Sequence, residues 1–594
     1  MRPLVLLILA VQARHSFAAP ALSTAVAHTP TATISIPVSS SASRPSVALT
    51  ETVNAPASSG IPSSIVGASL PTATVTVDLD NATVVGVTDG TANWFLGLPF
   101  AQPPVDDLRF EPPQANSPYQ GILNATYWGN QCINTLEVNT PSWITPAMED
   151  YFTTLTHLAN APYDEDCLNL NVILPASVTE GAMLPVVAYI FFGAFLFGDS
   201  ADVDGSTIVK RSIDMGQPVI FVSMNHSILV LTMKVAYGFL SGKEVMDAKA
   251  GNVGLQDQRE ALRWIQKYIP AFGGDPKRVT LLGFSSGAVS AGLQMVANGG
   301  DTEGLFHGVW AESGAIQSAG WLDQPPAQKA YDDFVTGLNC SSAADTFACI
   351  KKAPTDAVTK HGMAYPHWQP HTDGVFIRSL PQQALVSGNV SRIPIVAGNA
   401  EDEGTSFTLG FPDLSTTADV EAMIRTGYYP NITDEDMDHL LRLYPDDPSQ
   451  GAPYNTGKDF QVTPQWKRAA SFLGDVGVVS VRKFFTKHLA ALNSPVWAYY
   501  YKRNSIPGLG STHGSELANM YGPGDMTDFL VNFVNRFDPN KNVTSLIHWE
   551  KYRTGDPVLL DFYGNDSLRL TSDTYREEAL NLVMKLSLEQ PLPF

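Results

Sequence analysis

One stretch constrains this chain more than any other. Val279-Thr-Leu-Leu282 is a short β-branched and apolar run, Gly283-Phe284-Ser285-Ser286-Gly287 fits G-x-S-x-G, and a small-residue helical segment follows from Ala288. That order reads as strand, tight turn, helix. In such an elbow the serine takes a strained backbone conformation that exposes its Oγ, and the helix N-terminus is aimed at the same spot. Gly283 and Gly287 are expected to let strand and helix pass close together. The pentapeptide alone recurs by chance in a chain of 594 residues; the strand before it and the helix after it give it weight.

The termini and composition bound the rest. Met1-Arg2, the apolar run Pro3 to Val11 and the small residues of Ser16-Phe17-Ala18-Ala19 read as a secretory signal over 1–19, too short to span a bilayer. Residues 20–73 are dominated by Ser, Thr, Ala, Pro and Val with almost no charge. They cannot bury enough apolar area to offset their ordering entropy, which predicts a disordered, O-glycosylated stalk. The remainder, 74–594, is predicted to form one folded domain, secreted and extracellular. The four cysteines, Cys132, Cys167, Cys340 and Cys349, suit two disulfides, with three connectivities open on count alone. Eight N-x-S/T sequons, at Asn81, Asn124, Asn225, Asn339, Asn389, Asn431, Asn542 and Asn565, agree with secretion, and some are expected at glycosylated surface positions. The net charge of −21, from 37 Lys+Arg against 58 Asp+Glu, is spread along the chain and repels nucleic acid. No run of 18 apolar residues occurs, so no stable membrane anchor is expected. Oligomeric state has no sequence signal.

Taken in order, Thr74-Val-Thr-Val-Asp-Leu79 and Ala82-Thr-Val-Val-Gly-Val87 alternate like the arms of a hairpin. After them come Gly97-Leu-Pro-Phe-Ala-Gln-Pro-Pro104 with Leu108-Arg-Phe110, and Glu165-Asp-Cys-Leu-Asn-Leu-Asn-Val172. Further on stand Gly251-Asn-Val-Gly-Leu-Gln-Asp-Gln-Arg259 and Phe272-Gly-Gly-Asp-Pro276, leading into the elbow. In these segments the chain resembles the type-B carboxylesterase/lipase family, which includes cholinesterases and yeast-type lipases. The resemblance covers roughly residues 74 to 594. It implies an α/β-hydrolase fold, a mostly parallel twisted central sheet flanked by helices. It also implies that Cys132 pairs with Cys167 around a loop that carries the lid in the family's lipases, and that Cys340 and Cys349 form a second, short disulfide loop. Trp143 to Leu158 mixes aromatic and aliphatic residues with two acids, which predicts a short amphipathic helix, either a lid with an apolar underside or a fixed helix packed on the core.

The same resemblance assigns the site. A serine hydroxyl is a poor nucleophile until a histidine takes its proton and a carboxylate fixes that histidine's tautomer. In this fold the three come in the order serine, acid, histidine. Ser285 is the nucleophile. Glu401-Asp-Glu-Gly404 resembles the family's D-E-G motif and selects Glu403 as the acid, with Glu401 and Asp402 read as solvated neighbours. Of the twelve histidines only His513, in Thr512-His-Gly-Ser-Glu516, has a family-like setting. Family members carry G-G-G-F at the oxyanion loop; this chain has Phe192-Gly193-Ala194-Phe195, so the donors would be the backbone N–H groups of Gly193, Ala194 and Ser286, with Ala194 less at ease in an unusual φ and Phe192 crowding the pocket. Ser313, in Glu312-Ser-Gly314, commonly supports the site from behind in relatives.

Several departures bear on substrate and activity. Phe284 replaces the glutamate that precedes the nucleophile in many relatives, and His157 stands where cholinesterases keep a cation-stacking tryptophan; both argue against a quaternary ammonium substrate. Ile228 to Lys234 is an apolar insertion relative to the family, either a local rearrangement beside the sheet or an error in the coding sequence. His361, His367 and His371 lack acids or cysteines at ligand spacing, so no metal and no cofactor is expected. The predicted function is a secreted carboxylic ester hydrolase of neutral, apolar small-molecule or lipid esters. The alternatives within enzymes are a lipase or sterol esterase. Outside them, the alternative is a weakened or inactive binding module, like the family's adhesion proteins; an intact triad speaks against it.

Overall fold

The computed structural model describes residues 70–133, 144–155, 162–179, 181–228, 237–317, 320–362, 368–540 and 547–591, the side chains of 152–155 excepted. The expected signal, nearly all of the expected stalk, most of the apolar insertion, His157, His367 and the Asn542 sequon lie outside these residues.

Among the described residues, thirteen strands form one sheet. In chain order they are β1 (Ala73–Leu79), β2 (Asn81–Thr88), β3 (Ala92–Pro99), β4 (Gln120–Asn124), then, past a separate two-stranded pair of β5 (Gln131–Cys132) and β6 (Tyr163–Asp164), β7 (Asn169–Pro175), β8 (Leu184–Ile190), β9 (Ile220–Met224), β10 (Gly274–Phe284), β11 (Gly308–Glu312), β12 (Ile395–Ala400), β13 (Val496–Tyr501), β14 (Val558–Tyr563) and β15 (Ser567–Ser572). Their order across the sheet is β1-β2-β3-β7-β9-β8-β10-β11-β12-β13-β14-β15, with β4 beside β2. From β9 to β14 every neighbour pair is parallel, whereas the β1–β2 hairpin, β3, β7 and β15 join antiparallel at the two ends. This is the α/β-hydrolase architecture.

Composition explains the division. The central strands β8, β9 and β10 read Leu-Pro-Val-Val-Ala-Tyr-Ile, Ile-Phe-Val-Ser-Met and, in its second half, Val-Thr-Leu-Leu-Gly-Phe, nearly unbroken apolar runs that are buried on both faces. A parallel sheet covered by helices on both sides demands that pattern. By contrast β1 alternates Thr and Val and leaves most of its side chains at the surface, as an end strand can. The helix Val253–Tyr268 lies against the sheet with Leu262 and Ile265 fully buried, and Ile269 in the turn after it is equally so.

Both disulfides are present, Cys132–Cys167 and Cys340–Cys349, in the pairing the resemblance implied. A smaller apolar cluster, built from Phe411, Ile424, Tyr429, Leu440, Phe472 and Val583 among others, gathers the helices Thr417–Gly427, Asp434–Leu443, Trp466–Gly474 and Glu577–Glu589 into a subassembly beside the main core. Among the described residues, no helix is long and apolar enough to cross a membrane. One sequon is not a surface position: Asn225 is buried, and its side-chain amide donates to the carbonyl of Asn130.

Candidate active site

The site assembles at the carboxyl ends of adjacent parallel strands, where an open α/β sheet leaves a crevice. Ser285 follows β10 directly and sits at φ 54°, ψ −123°. That conformation is strained for any residue with a Cβ. It is locked by the Ser285 N–H, which donates to the carbonyl of Glu312 at 2.8 Å, and by the helix Ser286–Val296 that starts at the next residue. The two glycines of the elbow are sterically required: a Cβ on Gly283 would lie 2.3 Å from the carbonyl carbon of Gly287, and one on Gly287 would lie 2.1 Å from the carbonyl oxygen of Ile190.

Glu403 comes from the turn after β12 and His513 from the long loop after β13. The structure brings the three together. His513 Nε2 is 2.8 Å from Ser285 Oγ, and His513 Nδ1 is 2.6 Å from Glu403 Oε2. The carboxylate is fully buried and the imidazole nearly so, with 0% and 12% of their side-chain surface exposed. Glu403 Oε1 accepts two further bonds, from the backbone N–H of Ala400 at 2.7 Å and from Ser313 Oγ at 2.6 Å. A buried carboxylate held by three donors is fixed in place and stays able to balance a positive imidazole. Phe284 and Phe407 touch the His513 ring, with centroids 4.7 and 4.8 Å away. Phe284 also meets Phe192 edge to face at 5.2 Å, so the two residues expected at the substrate pocket form a buried aromatic wall behind the imidazole.

The loop after β8 carries the remaining expected groups. Gly193 lies at φ 115°, and a Cβ there would fall 2.0 Å from the Phe197 carbonyl oxygen. Ala194 and Phe195 follow at φ 56° and 62°, so two non-glycine residues in succession occupy left-handed backbone. The Gly193 carbonyl accepts the N–H groups of Leu196 and Phe197, closing the loop on itself, while the N–H groups of Gly193 and Ala194 have no acceptor among the described residues. Ser286 is the first residue of its helix, where the N–H has no partner inside the helix. Backbone donors left without an acceptor in this way are the kind of group that a developing oxyanion needs.

Several participants escaped the sequence reading. Glu516 is fully buried and its Oε1 contacts Ser313 Oγ. One hydroxyl has one proton and cannot donate to two carboxylates at once, so a proton on Glu516 would let Ser313 donate to Glu403 and accept from Glu516. Burial, and after it the nearby Glu403 charge, hold the Glu516 carboxyl above its ordinary range, which agrees with that count. Glu312, at the end of β11, is likewise buried and raised by burial, with Trp310 Nε1 donating to it at 3.0 Å. Tyr151, on the helix Pro146–Leu155 inside the Cys132–Cys167 loop, is buried and donates its hydroxyl to the carbonyl of His513. Met148 of the same helix approaches Gly508, so the underside of the expected amphipathic helix rests on the histidine loop. Asp402 corrects an expectation: it is not a solvated neighbour but is 3% exposed, and burial with the Glu401 charge pushes its carboxyl up to about 7. Glu401 is half-buried against Lys502, 3.6 Å away. His371 bonds the carbonyl of Gln369 at 2.5 Å and is buried. No group of three metal-ligating side chains is present among the described residues.

Comparison with known proteins identifies the family. The model of the carboxylesterase family matches residues 73–582. The chain is 34% identical over 540 residues to secreted lipase 1 of Botryotinia fuckeliana, covering 84% of this chain and 92% of the relative. It is 32% identical over 537 residues to secreted triacylglycerol lipase LIP1 of Gibberella zeae, covering 86% and 90%. The crystal structure of Aspergillus niger EstA superposes with a TM-score of 0.73 at 25% identity, covering 88% of this chain and 99% of that one.

Proposed function

We propose, for a chain that belongs to the carboxylesterase family and hydrolyses carboxylic esters, that Ser285, His513 and Glu403 form its catalytic triad and that its substrates are neutral, apolar esters met outside the cell. The observation that carries the reading is the unbroken hydrogen-bond chain from Ser285 Oγ through both nitrogens of His513 to Glu403.

In this reading Ser285 Oγ attacks the ester carbonyl carbon while its proton passes to His513 Nε2, and Glu403 balances the imidazolium. The carbonyl oxygen becomes an oxyanion at the N–H groups of Gly193, Ala194 and Ser286, each such donor being worth roughly 3 kcal/mol in the transition state. Collapse breaks the bond to the alcohol, which takes the proton from His513 Nε2 and leaves an acyl-serine. Water then repeats the sequence: His513 removes its proton, the hydroxide adds to the acyl carbon, and the free acid departs as Ser285 regains its proton.

Apolar specificity is supported by Phe284 and Phe407 against the imidazole, by Phe192 packed on Phe284, and by the phenylalanine that directly precedes the nucleophile in place of a carboxylate. Acylglycerols are the first class to try, because the relatives bear lipase names. Secretion rests on the signal-like residues 1–19, with 20–73 as an O-glycosylated stalk before the catalytic domain.

The test is incubation of the secreted protein with p-nitrophenyl butyrate and an organophosphate. Turnover that is lost in step with labelling of Ser285 is expected; full activity in a Ser285→Ala variant would refute the assignment. A series of p-nitrophenyl esters and a glyceride titrated through its solubility limit then separates esterase from lipase, since a lipase speeds up once an interface forms.

A further inference from the structure

We propose that Asp402 is a positioning residue for this reaction, a brace that holds the loop carrying His513 against Glu403. The proposal rests on the triad reading above and adds to it a residue that touches neither substrate nor reacting atoms.

Three segments meet at this one carboxylate. Its Oδ2 accepts the backbone N–H of Ser511 at 2.9 Å, and its Oδ1 accepts the N–H of Tyr454 at 2.8 Å. The Asp402 N–H in turn donates to the carbonyl of Ser511 at 2.9 Å, so the two residues hold each other reciprocally. Thr405, three residues on, adds its hydroxyl to the same loop, within 2.6 Å of the Leu509 carbonyl and 2.8 Å of Thr512 Oγ1. The contact leaves no slack: a Cβ on Gly510 would lie 2.1 Å from Asp402 Oδ2.

The leverage follows from connectivity. Asp402 is bonded to Glu403, and Ser511 lies two residues before His513, so the brace and the acid–base contact share both of their strands of chain. Two residues of free chain can sweep about 7 Å, whereas Glu403 must keep His513 Nδ1 at 2.6 Å. The loop between β13 and His513 turns at Gly508 and Gly510, φ 92° and 70°, and closes on itself between Ile506 and Gly510, but it includes no regular helix or strand after that turn to fix the direction in which Ser511 to His513 leave it. A carboxylate accepting amides from two sides anchors that closed turn to the segment that carries Glu403, and a reacting group displaced by about 1 Å can cost on the order of 100-fold in rate.

A residue that only stabilised the fold would change the amount of active protein, not the rate per active site. The experiment therefore compares Asp402→Asn, which is isosteric but puts an NH2 donor where one of the two accepting oxygens stood, with Thr405→Val and with Glu401→Gln as a neighbouring acid that faces Lys502. Each is titrated with a fluorescent organophosphonate, so that kcat is expressed per reactive serine. Asp402→Asn is expected to lose about tenfold or more in kcat per site with KM within about twofold, and to move or broaden the downfield proton resonance of His513 Nδ1–H. Thr405→Val is expected to lose less, and Glu401→Gln to stay within about twofold of the parent. Unchanged kcat per site and an unchanged imidazole resonance in Asp402→Asn would overturn the brace. A Ser285→Ala or His513→Ala variant that kept full activity would instead overturn the triad, so the two failures read out separately.

Discussion

Ser313 and Glu516 give the sharpest prediction. Ser313 has one proton to offer and two buried carboxyls within reach, Glu403 at 2.6 Å and Glu516 closer still. If Glu516 carries its own proton at neutral pH, a glutamine at position 516 is nearly a copy of the acid: its amide donates to Ser313 Oγ as the carboxyl did. Glu516→Gln is therefore expected to keep kcat/KM within a few-fold at pH 7. Ser313→Ala differs in kind. It removes one of three donors from the buried Glu403 carboxylate, and a hydrogen bond to a charged group is worth about 1.5–3 kcal/mol. Expressed wholly in the transition state, that is a loss of about ten- to a hundredfold. The linkage has a definite sign. The folded carboxyl of Glu516 is raised above its value in the unfolded chain, so its contribution to stability is full below the unfolded value near 4.5 and declines as pH climbs toward the folded one. Urea denaturation of the parent and of Glu516→Gln between pH 4 and 8 measures this: the variant is expected to gain on the parent steadily as pH rises. A Glu516→Gln enzyme as impaired at pH 7 as Ser313→Ala, or a constant stability gap across that range, would refute the proton count.

Three further outcomes are expected. Ala194→Gly relieves a left-handed alanine costing roughly 1–2 kcal/mol against about 0.5–1 kcal/mol of added unfolded-chain entropy; urea midpoints are expected to hold or rise, and p-nitrophenyl butyrate turnover to hold or increase. Asp257 is pushed up to about 7 by burial, so between the ordinary carboxyl value and that pH unfolding releases a proton and stability falls with rising pH; Asp257→Asn is expected to flatten that slope in thermal melts at fixed ionic strength. Tyr151→Phe removes the hydroxyl that bonds the His513 carbonyl and is expected to cost about 0.5–1.5 kcal/mol of stability by urea denaturation, with kcat per site falling if that bond also steadies the histidine.

The parts of the molecule that could be read from sequence are those whose pattern is local. The apolar runs of β8 to β10, the hairpin of β1 and β2 and the glycine-spaced elbow declare themselves within a dozen residues, because burial on two faces or a tight turn restricts every position at once. The family resemblance added the histidine and the acid, which spacing alone could not have chosen among twelve histidines and 58 acids. What was misread depends on partners far along the chain. Glu401-Asp402-Glu403 looks like an exposed acidic run, yet Asp402 is buried because Ser511, 109 residues later, folds over it. Glu516 meets Ser313 across 203 residues and Tyr151 meets His513 across 362. Asn225 carries a sequon that no transferase could reach in the folded state, a fact of tertiary packing that three residues of sequence cannot express.

The strand order itself has a consequence for how such a site can vary. The nucleophile ends β10, the acid follows β12, and β11 runs between them. Neighbouring strands are about 4.8 Å apart, so nucleophile and acid start out roughly 10 Å from each other, a gap that an imidazole reaching back from β13 bridges nitrogen by nitrogen. The repeat of the hydrogen-bonded ladder thus works as a ruler, and no side chain can alter its markings. An acid transplanted to position 313, just past the end of β11, would stand one mark nearer the serine than Glu403 does, and the histidine would have to tilt or retract to meet it.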